Sequence, residues 1–240
     1  MVSAPTVTAT LNAYVFLKNT VFRLMYTVFA KGTPAFDYME SLRKDGAGLQ
    51  KLYIPKILEG IKKVDPASYV KFKDKIDHFH PRLILNMIED PKDADVAMKI
   101  RRSCEEYLDL KIEHLGVIYR DNMQDVALSS RLPVIMYKPQ AVISQAIYRI
   151  ADKIMQTDEE EFVLDDTEID GSFQEAAIEA EVDFNNKMEY VEELLHSGVL
   201  SQGDLIETVK TQQFEIVKLK KENTFLKSKL TKAISQGFKP

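Results

Sequence analysis

The sequence predicts an α/β fold: a partial parallel sheet with helical crossovers and a helical insertion, then a C-terminal α-helical coiled coil. Three observations predict it. RLILNMI (82–88) and HLGVIY (114–119) are short continuous apolar runs, as in strands buried on both faces. Helical patterns separate and follow them, and strands alternating with helices argue a parallel sheet. Beyond residue 200, apolar residues recur in heptads.

Taken in order, VSAPT reads as the end of a strand and a turn. TATLNAYVFLKNTVFRLMYTVF reads as a helix over 8–29. Its apolar residues, Leu11, Tyr14, Val15, Leu17, Val21 and Phe22 among them, cover well over half its circumference. Such a helix needs burial on more than one face. So apolar an element so close to Met1 reads as an internal segment, with the first half of the domain expected ahead of it. Pro34, Pro55 and Pro66 punctuate residues 33–79, which read as two or three short inserted helices. Asp65 before Pro66 has the form of an N-cap followed by proline at the first helical position.

After the strand at 82–88, Asp90–Pro91 opens a helix through about Leu108 by the same logic. Asp121 is placed to cap the short helix NMQDVALSS. PVIMY reads as a short strand or an extended connector, and Pro139 as the start of a helix ending near Met155. These elements make up a domain over 1–156. TDEEEFVLDDTEIDGS (157–172) reads as an acidic linker too charged to bury. A helix follows from about Phe173 to Leu195 and breaks at Gly198. Ser201 with Asp204 three residues later resembles a capping box that starts the last helix, over 201–236.

In that last helix Val209, Ile216, Asn223 and Leu230 recur every seven residues. Gln212, Leu219, Leu226 and Ala233 do so three residues later. These are the a and d positions of a coiled-coil seam, and Ile at a with Leu at d favours two parallel strands. Asn223 is a polar a position of the kind that selects register and two-strandedness. Glu215 with Lys220 and Glu222 with Lys227 fall at g and the following e across a parallel pair. The expected partner is a second copy of the chain, with Val209, Ile216, Leu219, Asn223, Leu226 and Leu230 as the dimerisation residues. The other reading of the same pattern is a single amphipathic helix packed on its own domain.

Composition narrows the function classes. A hydrophobic fraction of 45% and a charged fraction of 29% are those of an ordinary globular chain. The net charge is −5, with eight acidic and no basic residues over 158–170, and seven lysines against three glutamates over 207–232. A uniformly basic nucleic-acid binder is not indicated, and TVKTQQFEIV lacks the dense arginines of a basic leucine zipper. Cys104 is the only cysteine, so there is no intrachain disulfide, and a reducing compartment is expected. No apolar run reaches the roughly 20 residues of a membrane span. The amino end has no cationic segment before an apolar core. A cytoplasmic location is therefore the expectation, without a membrane-targeting helix. His78 and His80 lie beside Pro81 with no further ligand at metal-site spacing.

In open α/β sheets, ligands sit outside the carboxyl ends of the strands. Asn86 stands near such an end. Its amide offers one acceptor and two donors, matching the N6 and N7 edge of adenine. An asparagine after a strand is also a common turn former, so the residue by itself leaves both readings open.

LILN, LGVIYRD followed by DVA, and LPVI…SQAIYRIADKI resemble the carboxyl-terminal half of the MinD/ParA family of deviant P-loop ATPases, a Rossmann-like fold. SAPTVTATLNAYVFLK resembles that family's proline-containing turn leading into a helix with alanine–tyrosine. The resemblance covers roughly 2–30 and 80–156 and is nearest to the flagellar-number regulators. It implies an ATP-dependent positioning protein in which Asn86, Tyr119 and Asp121 surround the adenine. At Tyr119 the family has a proline, so the ring either stacks on the base or fills the pocket. The family's catalysis needs a glycine-rich loop with lysines to cradle phosphates and an acidic residue for magnesium. No G-x-x-x-x-G-K-[ST] occurs here, and KDGAGLQK has the wrong spacing. No catalytic residue and no metal ligand is therefore assigned. ATP and magnesium are expected only in the presence of the missing half. The alternative is a non-enzymatic coiled-coil adaptor built on a degenerate nucleotide-binding module.

Overall fold

The computed structural model describes residues 1–44, 53–156, 165–198 and 202–235. The chain falls into two units, Met1–Lys187 and Met188–Pro240.

The first unit holds a parallel three-stranded sheet in the order β1 (Val2–Ser3), β2 (Arg82–Ile88), β3 (Glu113–Tyr119). Ser3 pairs with Leu85, and Arg82 pairs with Glu113. The guanidinium of Arg82 reaches the Glu113 carboxylate at 2.9 Å, which helps fix the register of β2 against β3. Both long strands lie where the apolar runs predict them.

Among the described residues four helices connect β1 to β2: α1 (Val7–Val28), α2 (Pro34–Lys44), α3 (Ile54–Val64) and α4 (Pro66–Asp77). Thr6 caps α1, its side chain accepting from the Ala9 amide at 3.2 Å. The helix buries one stripe, Ala13, Leu17, Val21 and Met25, continued by Phe29. At i, i+4 spacing these stack along one face, and each large aliphatic contributes about 1.5–3 kcal/mol on full burial. The expected burial on more than one face is met in the second half of α1, where Phe22, Leu24, Tyr26 and Val28 pack against the core on either side of the stripe. In the first half, among the described residues, Leu11, Val15 and Phe16 stay exposed. Asp65 caps α4 as the sequence predicts, accepting from the Ser68 amide at 3.1 Å and its hydroxyl at 2.8 Å. Gly60 lets α3 press against α2: a Cβ there would lie 2.1 Å from the Tyr38 hydroxyl oxygen.

A 3-10 turn at Pro91–Ala94 and α5 (Asp95–Leu108) connect β2 to β3. Asp90 accepts from the Lys92 amide at 2.9 Å. Asp93 accepts in return from the amides of Glu89 and Asp90. Cys104 faces the core from α5, and burial pushes its thiol up to about 12.

After β3 come α6 (Met123–Ser129), α7 (Val134–Tyr137) and α8 (Val142–Gln156), the last packed along β3. Two expectations are corrected here. PVIMY is a helical turn and not a strand or extended connector: the Pro133 carbonyl accepts from the amides of Met136 and Tyr137, each at 2.9 Å. The helix expected from Pro139 begins three residues later, after a turn that Ser144 ties down by donating to the carbonyls of Val134 and Lys138.

The third correction is the acidic segment. Helix α9 spans Asp166–His196, so 166–172 is helix and not linker. Its start is a reciprocal cap: the Glu168 amide donates to Asp165 at 2.8 Å and the Asp165 amide to Glu168 at 3.1 Å. Asp166, Glu168 and Asp170 stay exposed. Ile169, Phe173, Ala176 and Ala180 form a buried stripe, which Asp183 continues. Along this stripe α9 covers the outer edge of β3. The His114 amide donates to the Ser172 hydroxyl at 3.1 Å, and the Tyr119 hydroxyl to the Ala180 carbonyl at 2.8 Å. A helix over a sheet edge blocks further strand pairing. That is also why PVIMY has no edge of β3 to join. Ion pairs from α8 hold α9 in place: Arg149 to Asp183 at 2.5 Å, and Lys153 to Glu179 at 2.9 Å. Gly116 makes the approach close, since a Cβ there would lie 3.0 Å from a Glu179 carboxylate oxygen.

The second unit contains the end of α9 and a long helix, α10 (Gln202–Ser235). Gly198, at a φ of 69°, follows the end of α9 as predicted. Ser201 of the predicted capping box lies outside the described residues. Val209, Ile216, Leu219, Leu226 and Leu230 are 43–58% exposed. Among the described residues no helix is long and apolar enough to cross a membrane.

Candidate functional site

Asn86, Tyr119 and Asp121 come from two strand ends 33 or more residues apart in sequence, and all three line one cleft of about 430 Å³. It lies at the carboxyl ends of β2 and β3, where open parallel sheets place their ligands. Ile143 and Ile147 of α8 form an apolar wall, and Gln124 and Asp125 of α6 add polar groups.

Asn86 is half-buried in β2, opposite Ile118 in β3. Its amide makes no side-chain hydrogen bond among the described residues. It also borders a second hollow, formed by β1 and α1 with Val2, Ala13 and Phe16. The amide therefore stands on the wall between the two hollows.

The next residue, Met87, is a feature that sequence reasoning missed. Its φ is 64°, the left-handed region that residues with a Cβ rarely occupy. The strand bulges there: Asn86 pairs with Ile118 and Ile88 with Tyr119, leaving Met87 unpaired and 48% exposed. Bulges of this kind re-aim neighbouring side chains and concentrate near functional sites. RLILNMI carries no glycine or asparagine at that position to signal it.

Tyr119 resolves the alternative left open by its sequence position. The residue is 2% exposed, its hydroxyl is bonded to Ala180, its ring lies 6.2 Å from that of Phe184, and the Lys187 ammonium sits 5.6 Å from its centroid. Burial raises its phenol above the ordinary value, with Asp183 adding to the shift. The ring belongs to the core and offers no stacking face, so of the two alternatives, stacking on a base or filling the pocket, the first is set aside. Tyr119 shapes the cleft as wall.

Asp121 serves local structure first, accepting from the Met123 amide at 2.8 Å at the start of α6. Its expected capping role is met, one residue ahead of the helix's N-cap. Between these two residues, Arg120 reaches Glu89 at 3.2 Å, and its carbonyl accepts from Lys187 at 2.9 Å. The cleft thus sets the charged Arg120, Asp121 and Asp125 beside the apolar Ile118, Ile143 and Ile147, the mixture of polar and apolar lining common to small-molecule sites.

Two other features lie apart from this cleft. An apolar groove of about 710 Å³ runs between α1 and α5, lined by Leu11, Tyr14, Tyr53 and Tyr107. Thr6, Thr10, Lys18, Lys99 and Ser103 also line it. His114 is buried beneath α9, its ring 5.2 Å from that of Phe173. Burial first, and Lys153 second, lower its imidazole to about 4. Among the described residues its Nε2 has no hydrogen-bond partner, and no group of His, Cys, Asp and Glu side chains could hold a metal ion.

Neither a protein-family model nor a curated protein matches this chain.

Proposed function

We propose that this chain is the base-recognising portion of a MinD/ParA-like, ATP-binding positioning protein. The observation that supports this reading is the convergence of Asn86, Tyr119 and Asp121 on one strand-end cleft, with the Asn86 amide unpartnered there. The amide oxygen accepts from the adenine N6 amino group, and the amide nitrogen donates to N7. Guanine reverses the exocyclic group from donor to acceptor and loses half of that pair. Phosphates and magnesium are held by a glycine-rich loop outside this sequence. This chain alone therefore binds adenine nucleotides weakly and turns over no ATP. By the same resemblance, the intact protein acts in the cytoplasm, in placing structures such as flagella.

Saturation-transfer NMR with adenosine and guanosine tests the reading on the chain as it stands. Adenosine is expected to show contact with the wild-type chain at millimolar concentration, and that contact should be lost in Asn86→Ala. Equal signals from the two nucleosides, or an adenosine signal untouched by Asn86→Ala, would remove this cleft as an adenine site.

A second reading is favoured by α10, whose apolar heptad positions are exposed along its length. In it the module is a non-enzymatic adaptor that works through this helix. Contact by neither nucleoside at millimolar concentration would favour it.

A further inference from the structure

We propose that the end of α9 and α10 together form one seam for a second copy of this chain. The copies pair as a parallel, in-register, two-stranded coil that tethers two Met1–Lys187 units at the same end. The inference goes beyond nucleotide recognition and does not depend on it.

The heptad frame is longer than α10. Counting back from Val209 and Ile216 places Met188 and Leu195 at a, and Val191 and Leu205 at d. Met188, Val191 and Leu195 are 40–49% exposed. The stripe that α9 buries on β3 is a different one. Ile169, Phe173, Ala176, Ala180 and Asp183 would continue at 187, 190 and 194. The exposed seam runs one residue later at each step, about 100° round the helix. Packing α9 on its own sheet therefore leaves the seam free. Gly198, at a φ of 69°, follows the end of α9 at a d position of the same heptad count.

Charge and polarity select the occupant. In a parallel pair, Glu222 at g meets Lys227 at the following e of the other copy, and the pair forms twice by symmetry. In an antiparallel pair centred on Asn223, e faces e, and Lys220 and Lys227 oppose lysines. Two facing Asn223 amides satisfy each other only when parallel helices are in register. Against an apolar surface of another protein, or of its own module, the same amide would be left unpaired at a cost of about 1–3 kcal/mol.

Cysteine cross-linking of the full-length chain tests this, because Cys104 is buried with its thiol pushed up to about 12 and stays silent. Leu226→Cys stands in the seam and Val217→Cys outside it. Under mild oxidation, Leu226→Cys is expected to form covalent dimers at low micromolar concentration, and Val217→Cys is not. Sedimentation velocity should give twice the 27.5 kDa of one chain. Leu219→Glu, at a site exposed in the single chain, leaves the module folded. It should cut Leu226→Cys cross-linking about tenfold or more, since one buried leucine per chain is lost. A monomer without cross-links overturns the proposal and leaves the seam to another protein or to the chain's own module. Equal cross-linking from Val217→Cys, or a dimer that survives Leu219→Glu, overturns it in favour of association through another surface such as the open face of α1.

Discussion

The Tyr119 hydroxyl donates to the Ala180 carbonyl at 2.8 Å across a sequence separation of 61 residues. It joins the last residue of β3 to the middle of α9, at the back of the strand-end cleft. Tyr119→Phe keeps the ring and removes this one bond. The Ala180 carbonyl sits inside a helix and keeps its intrahelical partner, so no buried acceptor is orphaned. The expected loss is about 0.5–1.5 kcal/mol. Urea unfolding should show a lower midpoint with an unchanged slope. A midpoint equal to wild type would mean that α9 is held by its ion pairs and apolar stripe alone.

Met87 gives a backbone prediction with two signs. At a φ of 64°, a residue with a β-branched side chain is more strained than methionine, and glycine is relieved. Met87→Val should destabilise by about 1–3 kcal/mol. Met87→Gly should lie within about 1 kcal/mol of wild type, since relief of strain offsets the entropy that glycine adds to the unfolded chain. Thermal unfolding of the two variants checks this. Two equal losses would point to the Met87 side chain itself and away from its backbone.

Acid should loosen the module through His114. Unfolded, an imidazole titrates near 6.5. Folded, His114 titrates near 4 because burial penalises its charge. Between these values the unfolded chain holds the proton and the folded chain does not, so stability rises with pH. The full contribution is present above about pH 6.5, is lost as pH falls to about 4, and is on the order of 3 kcal/mol. Asp183 acts with the opposite sign at the acid end. Burial raises its carboxyl, so the folded chain takes that proton first. His114→Leu should flatten the curve from 6.5 to 4 in denaturant titrations at stepped pH. A parallel slope in that variant would assign the acid sensitivity to other groups.

Asn223 separates stability from specificity in the proposed coil. Asn223→Ile replaces a polar layer with an apolar one. It should raise the melting temperature of the assembly and shift its mass from two chains toward three. Sedimentation equilibrium at several concentrations reads both effects. A more stable variant that remains strictly two-stranded would show that the flanking Ile216, Leu219 and Leu226 set the chain number without it.

What the sequence shows by local chemistry, the structure bears out. RLILNMI and HLGVIY are strands because each is short, apolar and bounded by breakers. Asp65 before Pro66 caps a helix because that motif needs only its own next three residues. The features that escaped are set from a distance. PVIMY has strand-forming residues, yet the neighbouring edge is occupied by a helix whose buried face begins 35 residues later, at Ile169. Residues 166–172 look too acidic to bury when counted as composition. The spacing of Ile169 and Phe173, and the Asp165 and Glu168 cap, were the signals that outweighed it. The cleft divides the same way. Asn86 and Asp121 were legible because strand ends follow from strand bounds. The orientation of Tyr119 was not, because it is fixed by Ala180 and Phe184 far downstream.

The helix along the open side of β3 gives this sheet two kinds of protection against solvent. In the middle of β2, Ile84 and Leu85 have a strand on either side, and their amides exchange with deuterium only when the sheet itself opens. The outward amide of His114 relies on the Ser172 hydroxyl of α9. When α9 lifts, that proton is free to exchange while the β2 ladder stays intact. Exchange at His114 therefore measures a docking equilibrium and not global unfolding. The same equilibrium reaches the cleft, since lifting α9 also frees the Tyr119 ring.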